Sequence, residues 1–284
     1  MPTVAVTEFT DPACPFAFSA EPHRWRLRWL FGEQLRWRLR MVVLAETREE
    51  YLAKGLTPEV LAKGAVTLGE RYGMPMSEEA KPVIAATLPA CRAVVAARRH
   101  APEKEWLLLR RLRHLHFAGP LLDDPATIAR AATDVGIDPA QLEAWSAEEA
   151  TEQALREDMG LARDPTPSAL ALKQKLASTP NGGWRYTCPS LELRTADGAA
   201  FSAPGMQSSL GYETALANVE PGLERRPEPD DVAEVLAWAG VPLATQEVAE
   251  VCGVSREDAR AKLGAARAVE EPVGRDAFWT LPAG

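Results

Sequence analysis

A cysteine followed by a proline, Cys14-Pro15, is the group in this sequence best placed to do chemistry. It follows an apolar run from Val4 to Phe9, and the residues after it have the spacing of a helix. A cysteine at the start of a helix lies near outward-pointing backbone N–H groups and the positive end of the helix dipole. That placement favours the thiolate, which is the nucleophilic form of cysteine. The sequence therefore predicts a reactive thiol at Cys14.

The three other cysteines, Cys91, Cys188 and Cys252, are widely spaced along the chain. No two cysteines have the CxxC spacing of a metal-binding pair and the four histidines do not cluster, so we expect no metal site. Cys91 lies in an apolar helix and Cys252 in a predicted turn, where packing is the favoured interpretation for both. Cys188 differs from them because it directly precedes a proline, Pro189.

Composition places the chain among ordinary globular proteins, with 284 residues, 46% hydrophobic and 25% charged. The net charge of −8 argues against a general nucleic-acid binder, which is usually basic. The start of the sequence lacks the basic and apolar regions of a signal peptide. No apolar run approaches the roughly 18 residues needed to span a bilayer. We therefore expect a cytoplasmic protein without a membrane partner.

The elements around Cys14 read as strand, helix, strand. Residues 3–9 form the predicted first strand, residues 15–31 a helix, and residues 35–44 a second strand whose first half alternates polar and apolar residues. A βαβ unit of this kind has parallel strands. From about residue 46 to 177 the spacing is helical, with segments near 58–72, 78–100, 102–117, 125–135, 139–145, 148–158 and 166–177.

The pattern after this helical insertion is strand, turn, strand, helix. The strands are predicted at 191–194 and 200–202, with the turn Ala196-Asp197-Gly198 between them and a helix over 207–218. A βαβ unit, a helical insertion and a ββα unit together predict an α/β fold.

The last part of the chain reads as a small separate domain. Residues 223–229 have the composition of a linker, and residues 230–284 contain three predicted helices and a hairpin, a winged-helix-like order. From residue 227 to 284 there are five Lys or Arg and eleven Asp or Glu, so this domain would repel DNA. We expect a protein-contact module, a homodimer interface or a lid on the first domain.

Two motifs carry a resemblance to a known family. The run Asp11-Pro12-Ala13-Cys14-Pro15-Phe16-Ala17-Phe18, the helical insertion and Thr187-Cys188-Pro189-Ser190 resemble the DsbA-like thiol–disulfide oxidoreductases, which have a thioredoxin-like fold. The branch it resembles most is the cytoplasmic FrnE type, which borders 2-hydroxychromene-2-carboxylate isomerase and the kappa-class glutathione transferases. The resemblance covers about residues 1–220, and we assign residues 1–222 to this domain.

The resemblance implies roles for single residues. Cys14 matches the attacking cysteine, and Pro189 matches a proline whose peptide bond is cis and faces that cysteine in the family. The substrate-binding edge it implies consists of Pro15, Phe16, Ala17, Thr187 and Pro189. Ala17 departs from the pattern, because the dithiol members have a resolving cysteine there. Cys188 could replace it by pairing with Cys14, provided that the Cα atoms lie within about 7 Å; otherwise Cys188 is a small residue lining the pocket.

The activity that we predict is thiol–disulfide exchange, with Cys14 as the nucleophile and a small thiol or Cys188 resolving the mixed disulfide. The partners expected are a small thiol and a disulfide-bearing protein. We expect no tightly bound cofactor, although a low-molecular-weight thiol, glutathione or mycothiol, could serve as one. Three alternatives stay open: a thiol-conjugate transferase or isomerase, a redox sensor without turnover, and a scaffold in which Cys14 is inert.

Overall fold

The first βαβ unit leads directly to Cys14. In this computed structural model, which describes residues 2–282, it comprises β1 (Val4–Thr10), α1 (Pro15–Ser19), α2 (Glu21–Phe31) and β2 (Leu35–Met41). β1 and β2 are parallel, as predicted. The single helix predicted over 15–31 was wrong in one respect, because it is interrupted at Ala20. Pro22 has no N–H to continue the first helix and instead occupies the first turn of the second one.

Helices fill most of the next 130 residues. They are α3 (Arg48–Ala53), α4 (Pro58–Tyr72), α5 (Leu88–His100), α6 (Glu105–Ala118), α7 (Pro125–Asp134), α8 (Pro139–Ser146), α9 (Glu149–Ala162) and α10 (Pro167–Leu170).

Two predicted helices of the insertion are shorter than expected. The helix predicted over 78–100 begins only at Leu88, because Pro82 cannot donate within a helix, whereas Pro89 suits the first turn of α5. The helix predicted over 166–177 is reduced to α10 and a single 3-10 turn, Lys173–Lys175. The sequence pattern also missed α3, which has only six residues. Helical spacing is a weak signal in segments this short.

The ββα unit completes the main sheet. It is preceded by a short hairpin of β3 (Ala177–Ser178) and β4 (Trp184–Arg185), which the sequence pattern did not predict. It consists of β5 (Ser190–Thr195), β6 (Ala200–Ala203) and α11 (Ser209–Val219). The strand order is β2-β1-β5-β6, with β5 antiparallel to β1 and to β6.

The antiparallel pairing of β1 and β5 brings two distant parts of the chain together. Phe9 near the end of β1 pairs with Ser190 at the start of β5. The segment that leaves β1 therefore lies at the same edge of the sheet as the segment that enters β5. These two segments contain Cys14 and Cys188.

The tail has the predicted order of helices followed by a hairpin, and its winged-helix assignment stays a prediction. Its elements are α12 (Val232–Ala239), β7 (Leu243–Ala244), α13 (Thr245–Cys252), α14 (Arg256–Ala265), β8 (Val269–Val273) and β9 (Asp276–Thr280). The strands form a second sheet in the order β7-β9-β8.

The tail packs directly on the first domain. One apolar core contains residues of β1, β5 and α2 together with residues of α12, α13 and α14. The stretch 223–229 lies along α2, since the backbone N–H of Arg226 donates to Leu30 (2.8 Å) and the Trp29 indole donates to the carbonyl of Pro227 (2.8 Å). Although its composition is that of a linker, this stretch is held in place.

Candidate active site

Cys14 and Cys188 meet at the edge of the main sheet. The Cys14 thiol lies 3.2 Å from the carbonyl oxygen of Cys188 and donates to it. Both cysteines are free thiols and almost fully buried, with 6% and 7% of their surfaces exposed. They share one apolar cluster with Phe9, Val42 and Tyr186. The two sulfur-bearing residues predicted to react are thus brought together, although 174 positions separate them in the chain.

The backbone around Cys14 favours its thiolate. Cys14 is the N-cap residue of α1, and Pro15 occupies the first turn, where its missing N–H is not needed. The pKa of the Cys14 thiol is lowered, chiefly because the Cys188 thiol hydrogen-bonds to its sulfur. Burial and the charge of Asp11 oppose this shift, while hydrogen bonds from the backbone of Ala17 and Phe16 add to it. The result is a buried sulfur that ionises more easily than an ordinary thiol.

Cys188 has the opposite tendency. Burial raises the pKa of the Cys188 thiol well above its usual value, and the hydrogen bond to Cys14 raises it further. Of the two thiols, Cys14 therefore ionises first as pH rises. The peptide bond between Cys188 and Pro189 is cis, as the family resemblance implied.

The other residues of the implied substrate edge divide into exposed and buried ones. Phe16 is 45% exposed beside Cys14, and Thr187 is half-buried, with its hydroxyl donating to the carbonyl of Lys175 (2.7 Å). Pro15 is half-buried as well. Ala17 and Pro189 are buried and both line a cavity of about 20 Å³ beneath the turn, which is room for one water molecule.

Asp11 is a residue of the site whose role the sequence did not reveal. Its buried carboxylate accepts hydrogen bonds from the backbone N–H groups of Ala13 (2.8 Å) and Leu44 (2.9 Å), and it lies 3.5 Å from the Cys91 sulfur. It therefore fixes the turn before Cys14 to the end of β2. The sequence did contain a signal for this turn, because aspartate side chains commonly accept a hydrogen bond from the backbone N–H two residues later, here that of Ala13.

Cys91 lies close to the site but has the character of a packed residue, as predicted. It is fully buried, and burial together with the charge of Asp11 raises the pKa of its thiol well above the usual value. Among residues 2–282, no group of three or more His, Cys, Asp or Glu side chains could hold a metal ion. Nor does any helix in this range have the length and apolar character needed to cross a bilayer.

The sequence matches one family model, that of the DSBA-like thioredoxin domain, over residues 5–165. No curated protein matches the chain in sequence. The matched region is more than half of the 284 residues and includes Cys14 and the insertion up to α9.

Solved structures show the same fold over most of the chain. A probable DsbA oxidoreductase from Streptomyces coelicolor is 14% identical, with a TM-score of 0.56, covering 80% of this chain and 94% of that one. The cytosolic disulfide reductase DsbM from Pseudomonas aeruginosa is 15% identical, with a TM-score of 0.52, covering 77% of this chain and 98% of that one. At this level of identity, the similarity extends to the fold alone.

Proposed function

The chain belongs to the DSBA-like thioredoxin domain family, and on that premise we propose that it catalyses thiol–disulfide exchange with Cys14 as its nucleophile. The observation that carries this proposal is the contact between Cys14 and Cys188, in which the Cys14 pKa is lowered and the Cys188 pKa is raised. The DsbM protein from Pseudomonas aeruginosa, which has the same fold, is described as a cytosolic disulfide reductase. We propose the same class of reaction here.

In the first step, the Cys14 thiolate attacks one sulfur of a substrate disulfide. A new S–S bond forms between Cys14 and that sulfur, the substrate S–S bond breaks, and the other sulfur leaves as a thiolate that takes a proton from water. Cys14 suits this role because only the thiolate is the nucleophile and its pKa is lowered. The exposed side chain of Phe16 gives the substrate an apolar surface beside the sulfur.

In the second step, Cys188 performs the role of the missing cysteine at position 17. Cys188 loses its proton to water and attacks the Cys14 sulfur, so that a Cys14–Cys188 disulfide forms and the second substrate thiolate leaves. The substrate disulfide has then gained two electrons and the cysteine pair has lost two. Two molecules of a small thiol, glutathione or mycothiol, reduce the pair again and are themselves joined in a disulfide. A small thiol that attacks the mixed disulfide directly is the other route.

The experiment that tests this function uses the full chain, reduced and then treated with one equivalent of diamide. Mass spectrometry of peptides under non-reducing conditions should identify a Cys14–Cys188 disulfide, and glutathione should reverse it. The variant Cys252→Ser is the matched control, because Cys252 lies in the tail, and it should form the same disulfide. If Cys14 forms no disulfide with Cys188 or with glutathione, even with excess oxidant, the proposed function is wrong.

The cellular location and the partners of the protein remain predictions. The cytoplasm, with its pool of small thiols, is where we expect this activity to be used. A disulfide-bearing protein as substrate and a homodimer through the tail are likewise expectations, and DNA remains a disfavoured partner on the charge of the tail.

A further inference from the structure

Two arginines from distant parts of the chain lie beside the apolar cluster that contains the cysteine pair. Arg163 follows the last residue of α9, and Arg185 is the last residue of β4. The backbone N–H of Tyr186 donates to the carbonyl of Ala162 (2.9 Å), which joins the residues next to each arginine. The pKa of Arg163 is lowered, first by the partial burial of its side chain and second by the charge of Arg185.

Each guanidinium donates to the backbone carbonyl of a residue in the cluster that contains the two cysteines. Arg163 donates to the carbonyl oxygen of Val42 (3.1 Å), and Arg185 donates to that of Tyr186 (2.9 Å). Val42 and Tyr186 belong to the apolar cluster that contains Cys14 and Cys188. Arg185 is near enough to Cys188 for its charge to lower the pKa of that thiol against the larger effect of burial. Both positive charges are therefore held at the edge of the cluster that contains the reacting sulfurs.

Neither arginine is neutralised by a direct ion pair. Their guanidinium groups bond to backbone carbonyls, and neither has a carboxylate oxygen within 4.0 Å among the residues that the structure describes. Arg156, in contrast, pairs with Glu46 (2.9 Å). Arg163 is exposed and Arg185 is half-buried, so donors remain that a ligand could reach. A guanidinium has five N–H donors, and the bonds described here use only one nitrogen of each.

Two acidic side chains act on Arg163 through their charge without forming an ion pair with it. These are Glu46, which is bound by Arg156, and Glu50, which accepts from the backbone N–H of Glu46 (3.2 Å). Both guanidinium groups therefore keep a positive charge that a ligand can use.

We infer that Arg163 and Arg185 bind a carboxylate of the small thiol or disulfide that reacts at Cys14. The inference rests on the proposed function and deepens it, because it specifies an anionic substrate. A planar guanidinium can hold a carboxylate through two parallel hydrogen bonds. Such a substrate would carry its carboxylate a few atoms from the sulfur, so that both groups reach their partners together. A neutral thiol would gain nothing from the two arginines.

The experiment compares two alkylating reagents of nearly the same shape, iodoacetate and iodoacetamide, on the reduced full chain. The rate at Cys14 is followed with each reagent by peptide mass spectrometry. In Arg163→Met and Arg185→Met, we expect the iodoacetate-to-iodoacetamide rate ratio to fall by about threefold to tenfold per arginine, the range expected for one charge near the surface. A change in the Cys14 pKa would alter both rates equally and cancel in the ratio.

The control is Arg130→Met, because Arg130 is an exposed arginine of α7, and this variant should keep the ratio of the unmodified chain. A ratio that stays the same in both test variants, while iodoacetamide still reacts rapidly with Cys14, would overturn the inference and leave the proposed function standing. If neither reagent reacts with Cys14 faster than with Cys252, the proposed function itself fails. A matching readout is a single turnover: the rate at which glutathione disulfide oxidises the reduced protein, followed by intact mass, should fall in the test variants, whereas the rate with uncharged hydroxyethyl disulfide should not.

Discussion

The turn at Cys14 and the contact between the tail and α2 both bury ionisable groups, but they stabilise them differently. At the tail contact, Arg110 of α6 donates to the Glu247 carboxylate of α13 at 2.5 and 2.7 Å, and to Glu21 of α2 at 3.0 Å. Arg113 pairs with the other oxygen of Glu21. All four side chains are at least 97% buried. Every charge there has a fixed partner of opposite sign.

At the turn, the buried sulfur of Cys14 is stabilised by hydrogen bonds from Cys188 and from the backbone of Ala17 and Phe16. Hydrogen bonds favour the thiolate without holding it as tightly as a direct ion pair. The charged groups that hold the tail and the sulfur that reacts thus lie in different regions of the protein. Fully paired charges fix the position of α2 and the tail, while a charge that is only partly compensated stays available to react.

The largest effect is expected from removing the sulfur of the turn. Cys14→Ser should lower the rate at which glutathione reduces hydroxyethyl disulfide by about a thousandfold or more, since a serine hydroxyl is hardly ionised near neutral pH. Stability should fall by only about 1 kcal/mol, because the buried hydroxyl can still donate to the carbonyl of Cys188. The glutathione disulfide that this reaction produces is measured with glutathione reductase and NADPH, with Cys252→Ser as the control. Substantial activity in Cys14→Ser would mean that chemistry does not depend on this turn.

The next effect is on stability and belongs to the tail contact. Glu247→Gln should lower the free energy of unfolding by about 3 kcal/mol, because it leaves the buried Arg110 with one carboxylate instead of two. Urea unfolding with an unchanged m-value would measure it. A loss below about 1 kcal/mol would show that the buried charges of this contact do not depend on their ion pairs.

The pH dependence of alkylation should separate Cys14 from a cysteine of the tail. Burial raises the pKa of Cys252 to about 11, whereas the pKa of Cys14 is lowered. As pH rises, the thiolate of Cys14 should form first, and its iodoacetamide rate should level off at a pH where that of Cys252 still increases. Near pH 7 the thiolate fraction of Cys14 should exceed that of Cys252. Coinciding profiles would contradict the view that the turn favours ionisation.

Cys188→Ser should slow the second step most, and the first step less, because a hydroxyl replaces the thiol that favours ionisation of Cys14. The first attack does not consume the group at position 188, so a mixed disulfide with glutathione should still form. Its resolution should slow by about tenfold to a hundredfold and depend on added thiol. Quenched-flow sampling with intact-mass detection measures both steps. If the mixed disulfide disappears at the unmodified rate, a small thiol resolves it and Cys188 only lines the pocket.

The smallest effect is expected where an ion pair of the tail is exposed. Glu270→Gln removes a partner of Arg260 on the surface of α14, where both side chains are more than one third exposed. Solvent weakens such pairs, so the free energy of unfolding should fall by less than about 1 kcal/mol. This variant is the matched control for Glu247→Gln in the same urea experiment. Equal losses from both variants would remove the contrast between buried and exposed charge in the tail.

Local signals in the sequence were sufficient to predict the order of helices and strands and to place Cys14 at the start of a helix. Apolar alternation and helical spacing identified β1, β2 and most helices, and the Cys-Pro pair after a strand identified the start of α1. The errors lie where the local signal is weak or where a proline interrupts it: at Ala20, before Leu88 and after α10. Helical spacing alone did not reveal these interruptions, because a proline inside an apolar pattern can stand in the first turn of a new helix.

The sequence by itself determined the residue type at the turn before α1, the absence of a second cysteine at position 17 and the acidic character of the tail. Only the tertiary structure decided how closely Cys14 approaches Cys188, which of the two thiols ionises first, and that Arg163 and Arg185 lie beside their cluster. The physical reason is that pKa values depend on burial and on contacts between residues far apart in the chain. These arise from the antiparallel pairing of β1 with β5, which no local pattern encodes.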